Sequence, residues 1–181
     1  MDAYLIVKFL HIVAAIVWLG GGIAFLVLAS ANTEKADPAR LIAVVAQVAF
    51  LGQHLFMPAS IVTLLTGLAV VSLGGFGWPA WVLIGFGGIV VTAALGALKL
   101  GPTAGRILVA ARETGPDAAR TQALDLLRWV RFDYILQFAI VFLMVVKPDW
   151  QDVETLATVA LAVSAGGFAV LWFGRQTAIR L

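Results

Sequence analysis

Residues 3–30 read AYLIVKFLHIVAAIVWLGGGIAFLVLAS, a stretch whose single formal charge is Lys8. An apolar run of this length crosses a bilayer as an α-helix, because about 20 residues at 1.5 Å each span the hydrocarbon. Four more blocks follow, at about 38–72, 79–98, 130–147 and 153–173. In lipid each backbone N–H and C=O needs a partner within the chain, which helices supply, and the alternating pattern of a barrel is absent. The sequence therefore predicts one all-α domain over 1–181, a polytopic bundle of five transmembrane helices. Composition agrees: 62% of the 181 residues are hydrophobic and 12% charged, against roughly 45–50% and about 25% in a soluble domain.

Basic residues set the expected topology. Lys35, Arg40, Lys99, Arg106, Arg112, Arg120, Arg128, Arg131, Arg175 and Arg180 fall in 31–40, 99–131 and 174–181, at one end of the spans, leaving Lys8 and Lys147 for the other. The positive-inside rule then places the N-terminus outside and the C-terminus in the cytoplasm. Trp78, Trp81 and Trp150 mark the expected outer boundary, Trp129 and Trp172 the inner one. Asp37-Pro38 reads as a helix start, a capping carboxylate before a first-turn proline. Ala29-Ser30-Ala31 resembles a signal-peptide cleavage site, but the acidic Asp2 and the long apolar run favour a retained helix.

The interval 99–129 is expected as a cytoplasmic loop. There Arg106, Arg112, Arg120 and Arg128 alternate with Ile107, Leu108, Leu124 and Leu127, which suits helix extensions lying near anionic headgroups. With no cysteine, disulfides, thiolate chemistry and cysteine-ligated metals are excluded. Phosphate loops, HExxH and a serine-nucleophile elbow are missing, and no nucleic-acid partner is expected.

Ionisable groups inside spans are costly and are functional hypotheses by default. Both histidines, His11 and His54, fall in spans. For a symmetric hairpin centred near residue 34.5, their depths differ by about four residues, or about 6 Å. Two imidazoles on facing helices would clamp a b-type haem as axial ligands. Trp18, seven residues after His11, shares its face and would pack on the porphyrin edge. Lys8, three before, would pair with a propionate, and Gly20, Gly21 and Gly22 would leave room for the macrocycle. Pro58 frees and crowds the carbonyl of His54, so a bend is expected there. A plainer reading stands beside this one. Each histidine bonds a neighbouring helix's backbone or a Thr, Pro58 is an ordinary membrane-helix kink, Lys8 snorkels, and the glycines, with Gly88, Thr92 and Gly96, serve only helix packing. On the fourth span, Asp133 and Gln137 share a face, and Arg128 or Arg131 is expected to form an ion pair with Asp133, the alternative being a polar entrance for protons or a quinone.

The segment Leu10-His11-Ile12-Val13-Ala14-Ala15-Ile16-Val17-Trp18-Leu19-Gly20-Gly21 resembles the first helix of several small bacterial membrane families. These are the CopD copper-resistance proteins, the HemJ protoporphyrinogen oxidases and a related family of integral membrane proteins of unknown function. Pro58 to Leu68 and Val145-Val146-Lys147-Pro148 look most like the last. The HemJ likeness implies a five-span b-haem protein with His11 as a ligand. It also implies a lysine at the start of the third span, where this chain has Trp78-Pro79-Ala80-Trp81-Val82-Leu83, which counts against protoporphyrinogen oxidation. The CopD likeness implies copper, for which His54 and Met57 at i,i+3 are the candidates.

The expected function is thus an electron-transfer cytochrome or haem-dependent oxidoreductase component. It would hold haem b between His11 and His54, with a quinone or a periplasmic redox protein as partner. The alternatives are a copper-handling protein and a cofactor-free structural or transport subunit. Self-association into a homo-oligomer is left open.

Overall fold

The computed structural model describes residues 2–33 and 37–173; Lys35, Arg175 and Arg180, used above for orientation, lie outside them. The described residues form seven α-helices: α1 (Ala3–Thr33), α2 (Pro38–Leu51), α3 (Met57–Leu73), α4 (Ala80–Leu95), α5 (Gly101–Thr114), α6 (Pro116–Val146) and α7 (Val153–Phe168). Five continuous helical stretches are long and apolar enough to cross a membrane: Ala3–Ala24, Pro38–Leu73, Ala80–Thr114, Pro116–Val146 and Val153–Trp172. Phe9, Ile16, Val145 and Leu161 are exposed, while Arg128, Asp133 and Gln137 are buried. Apolar outside and polar inside is the arrangement lipid selects.

Asp37 caps α2 as expected, its carboxylate accepting from the Ala39 N–H at 3.2 Å, with Pro38 in the first turn. The second stretch is not a plain helix. A π turn, Gly52–Phe56, joins α2 to α3, with the Met57 N–H reaching the Gly52 carbonyl five residues back. An identical device, Gly96–Leu100, joins α4 to α5 through Gly101 N–H and the Gly96 carbonyl. A proline follows each turn, Pro58 and Pro102. Proline crowds the carbonyl four residues before it, and widening the preceding turn by one residue relieves that contact.

Residues 99–129 are built of helix extensions, as their pattern suggests, with almost no irregular chain between them. The third stretch runs on as α5 to Thr114, and α6 starts at Pro116, with Gly115 (φ 94°) as the whole turn. The pattern suggests a face lying on headgroups, whereas the structure turns its aliphatic residues inward. Ile107 and Leu127, with Ala104 and Ala123, pack on Leu41 and Val45 of α2 in a three-helix core. The i, i+4, i+7, i+8 spacing of Ala119, Ala123, Leu126 and Leu127 gives α6 the apolar stripe this core requires.

Two further core layers follow along the bundle. Trp18, Ala59, Ile89 and Ile140 meet in the middle. Val71, Trp81 and Val82 close the end that carries Lys8 and Lys147. Helix α7 leans on α6 through Gly166 and Gly167, where an added Cβ would lie 3.2 Å from Ile135 and 2.7 Å from Phe132.

Candidate functional site

His11 is held in one tautomer. Its Nδ1 lies 3.0 Å from the Thr63 carbonyl and 3.2 Å from the Thr66 hydroxyl oxygen. The carbonyl can only accept. The Thr66 hydroxyl has one proton and donates it to the Val62 carbonyl at 2.6 Å, so it too accepts from the imidazole. Nδ1 therefore carries the hydrogen, and Nε2 is left with its lone pair. That is how proteins present a histidine as a base or a metal ligand. Gly67 makes room for the ring: a Cβ there would be 3.0 Å from its Cε1.

The same ring lines a cavity of about 580 Å³ between α1, α3, α4 and α6. Trp18, Ile89 and Ile140 form its deep wall. Its other end carries Tyr4, Lys8, Phe76, Trp81 and Lys147. The Lys147 ammonium sits 5.0 Å from the Phe76 ring centre and 5.4 Å from that of Trp81. Lys8 lies 5.6 Å from the ring of Tyr4. A cation over an aromatic face is attracted by the ring quadrupole, and among the described residues no Asp or Glu lines the cavity. Lys147 owes its place to the backbone. It ends α6 in the left-handed conformation (φ 54°), and the carbonyl of the next residue, Pro148, accepts from the Trp81 N–H at 3.2 Å. The site is apolar in depth, positive at one end and furnished with one lone-pair nitrogen. It suits an amphipathic anion with a coordinating or hydrogen-bonding centre.

Of the residues singled out in the sequence, His11, Lys8 and Trp18 line this cavity together. His54 does not. It lies exposed in the first π turn, its Nδ1 bound to its own helix at the Phe50 carbonyl (2.9 Å) and its ring stacked on Phe50 at 4.3 Å. The cause is helix stagger. Gly21 meets Leu55, and His11 meets Thr63 and Thr66, so the pairing centres near residue 38 instead of 34.5. The two histidines are then displaced by about 11 residues, or about 16 Å along the axis. Gly20 to Gly22 are also elsewhere: Gly21 packs on Leu55, and Gly22 lies against the Tyr134 phenol. Met57 is exposed beside His54.

The expected ion pair at Asp133 is absent. Arg128 pairs with Asp125, and Asp133 accepts instead from the Gln137 amide at 2.7 Å. Among the described residues no group of three or more His, Asp or Glu side chains is arranged to hold a metal. Thr63, Thr66, Gly67, Phe76 and Lys147 escaped the sequence reading as site residues. The spacing of Thr63, Thr66 and Gly67, at i, i+3 and i+4 in an apolar helix, was the available signal for a polar, narrow strip facing another helix.

One family description fits the chain: residues 5–148 match the model of a predicted integral membrane protein family, DUF2269. No curated protein and no solved structure matches it.

Proposed function

Since the chain belongs to the DUF2269 family of integral membrane proteins, we propose that it is a haem-binding redox component of a bacterial inner membrane, with His11 as the protein's one axial ligand. One observation carries this reading. His11 donates from Nδ1 to two acceptors while its ring lines an apolar cavity whose end carries Lys8 and Lys147. Haem b has the matching parts: a ligand-seeking iron, a flat apolar ring and two carboxylates on one edge. Lys8 and Lys147 would take the propionates, and Trp18 would pack on the macrocycle. The two-histidine clamp does not fit, because His54 is bound to its own helix well away from the cavity. Haem held there would supply a one-electron redox change, which suits an electron carrier or an oxidoreductase component.

The protein's own residues do the positioning. Thr63 and Thr66 fix the imidazole plane and tautomer, and Gly67 lets the ring approach α3. Lys147 also stands over Trp81, at the start of the third membrane stretch. The start of the third stretch itself has no lysine, which still counts against protoporphyrinogen oxidation. With the N-terminus outside, the lysine-bearing end of the cavity faces the periplasm, where a redox protein or a membrane quinone would exchange electrons. The copper reading has less support, since His54 and Met57 are exposed and His54 is already engaged.

The test is the visible spectrum of the detergent-purified protein after haem titration. A Soret band that saturates at one haem per chain, lost in His11→Ala and kept in His54→Ala, is the expected result. A band that survives His11→Ala, or no saturable binding at all, overturns the assignment.

A further inference from the structure

A second cavity, of about 680 Å³, lies between α5 and α6 with Lys99, Arg106, Arg128, Asp125, Thr121 and Gln122 in its wall. It is separate from the His11 cavity and independent of the haem proposal. Lys99, Thr103 and Arg106 recur at i, i+4 and i+7, as do Thr121, Asp125 and Arg128 on the facing helix. Two polar helical strips thus look at each other.

Arg128 makes this more than a charged surface. Its side chain is only 9% exposed. One terminal nitrogen pairs with Asp125, but Nε and Nη1 are buried with no hydrogen-bond partner among the described residues. Guanidinium donors withdrawn from water and left unpaired are strongly unfavourable, so an acceptor belongs there. Asp125 cannot be the whole answer, since it already holds the other nitrogen. Lys99 has its ammonium 3.2 Å from the Trp129 ring centre, and Arg106 is oriented by a bond from its guanidinium to the Thr103 hydroxyl at 3.0 Å. Three cations against one carboxylate leave a net charge of +2 around the cavity.

We propose that this cavity binds a phosphate group, with Arg128, Lys99 and Arg106 as the charged donors and Thr121 and Gln122 as neutral ones. A tetrahedral oxyanion accepts from many directions at once, and the guanidinium fork matches two of its oxygens. The phosphate comes either from a phospholipid headgroup or from a soluble phosphorylated compound.

The full-length protein in detergent distinguishes these sources. Its melting temperature is followed against inorganic phosphate, with chloride at matched ionic strength as the control. Retention of phosphatidylglycerol against phosphatidylcholine is followed by native mass spectrometry. A saturable rise with phosphate supports a soluble ligand. Selective retention of phosphatidylglycerol without that rise supports a headgroup. Either response should weaken at least tenfold in the double variant Lys99→Gln/Arg106→Gln, which changes one half-buried and one exposed residue outside the buried core, and in Arg128→Gln if that variant folds. The proposal is overturned if phosphate acts no differently from chloride and the two lipids are retained equally, or if the double variant binds like the parent.

Discussion

The imidazole of His11 rests against the bare Cα of Gly67, where an added methyl would stand 3.0 Å from Cε1 and 3.4 Å from Nδ1. The ring is therefore clamped by α3 from two sides, by the Thr63 carbonyl it donates to and by the backbone it packs on. Gly67→Ala should move the ring by a few tenths of an ångström and shift the Soret maximum of the haem-loaded protein without abolishing it. Gly67→Leu should expel the ring from its hydrogen bonds and weaken haem binding at least tenfold. Equal haem affinity in Gly67→Leu and the parent, measured by titration, would sink the clamp.

Lys147 separates backbone from charge in the same site. An L-residue held at φ 54° carries backbone strain that glycine lacks. Lys147→Gly should leave stability equal or better by up to about 1 kcal/mol, while removing one of the two cations at the cavity's end. Lys147→Val loses the same charge and adds a β-branched side chain to a left-handed position, a cost of about 1–2 kcal/mol. Both variants should bind haem more weakly to a similar degree, yet melt at clearly different temperatures. Thermal melts of the two in one detergent check the order.

The contact between Gly22 and Tyr134 joins α1 to α6, since any Cβ on Gly22 would overlap the phenol. Gly22→Ala should cost about 1–3 kcal/mol through overpacking. Tyr134→Phe removes the overlapping oxygen, so the double variant should recover part of the loss. In a double-mutant cycle the coupling should be at least about 0.5 kcal/mol. A purely additive result would mean that the helices do not meet there.

Span number and helix starts were legible because lipid imposes them: an apolar block of about 20 residues has few other fates. Lys8, His11 and Trp18 share a face because helical periodicity alone decides it. Partnership between helices was not legible. His54 was paired with His11 through an assumed symmetric hairpin, and a stagger of a few residues removes it. Nothing local in the sequence fixes that stagger; it follows from where Gly21, Gly22 and Gly67 admit their neighbours Leu55, Tyr134 and His11. The helix extensions of 99–129 are legible, but the packing face is not: the arginines mask an amphipathic stripe whose partner face, Leu41 and Val45, lies about 60 to 86 residues earlier. The repeated Gly-to-Pro spacing of Gly52 and Pro58, and of Gly96 and Pro102, was visible in the sequence and marks both π turns.

Asp133 and Gln137 form an isolated polar pair in α6. The Gln137 amide donates to one carboxylate oxygen at 2.7 Å, while the other oxygen and the Gln137 carbonyl are buried without partners among the described residues. Gln137→Leu would leave Asp133 with no donor in an apolar setting and should cost about 1–3 kcal/mol. Removing both polar groups is different in kind, because no stranded acceptor remains. Asp133→Leu/Gln137→Leu should therefore be no less stable than Gln137→Leu alone, and close to the parent if the pair serves structure only. Denaturation of the three proteins in one detergent gives the comparison. If the double variant folds as well as the parent yet loses redox activity with a quinone, the pair serves the chemistry and not the fold. If it is the least stable of the three, the interpretation of Asp133 and Gln137 as a self-contained pair fails.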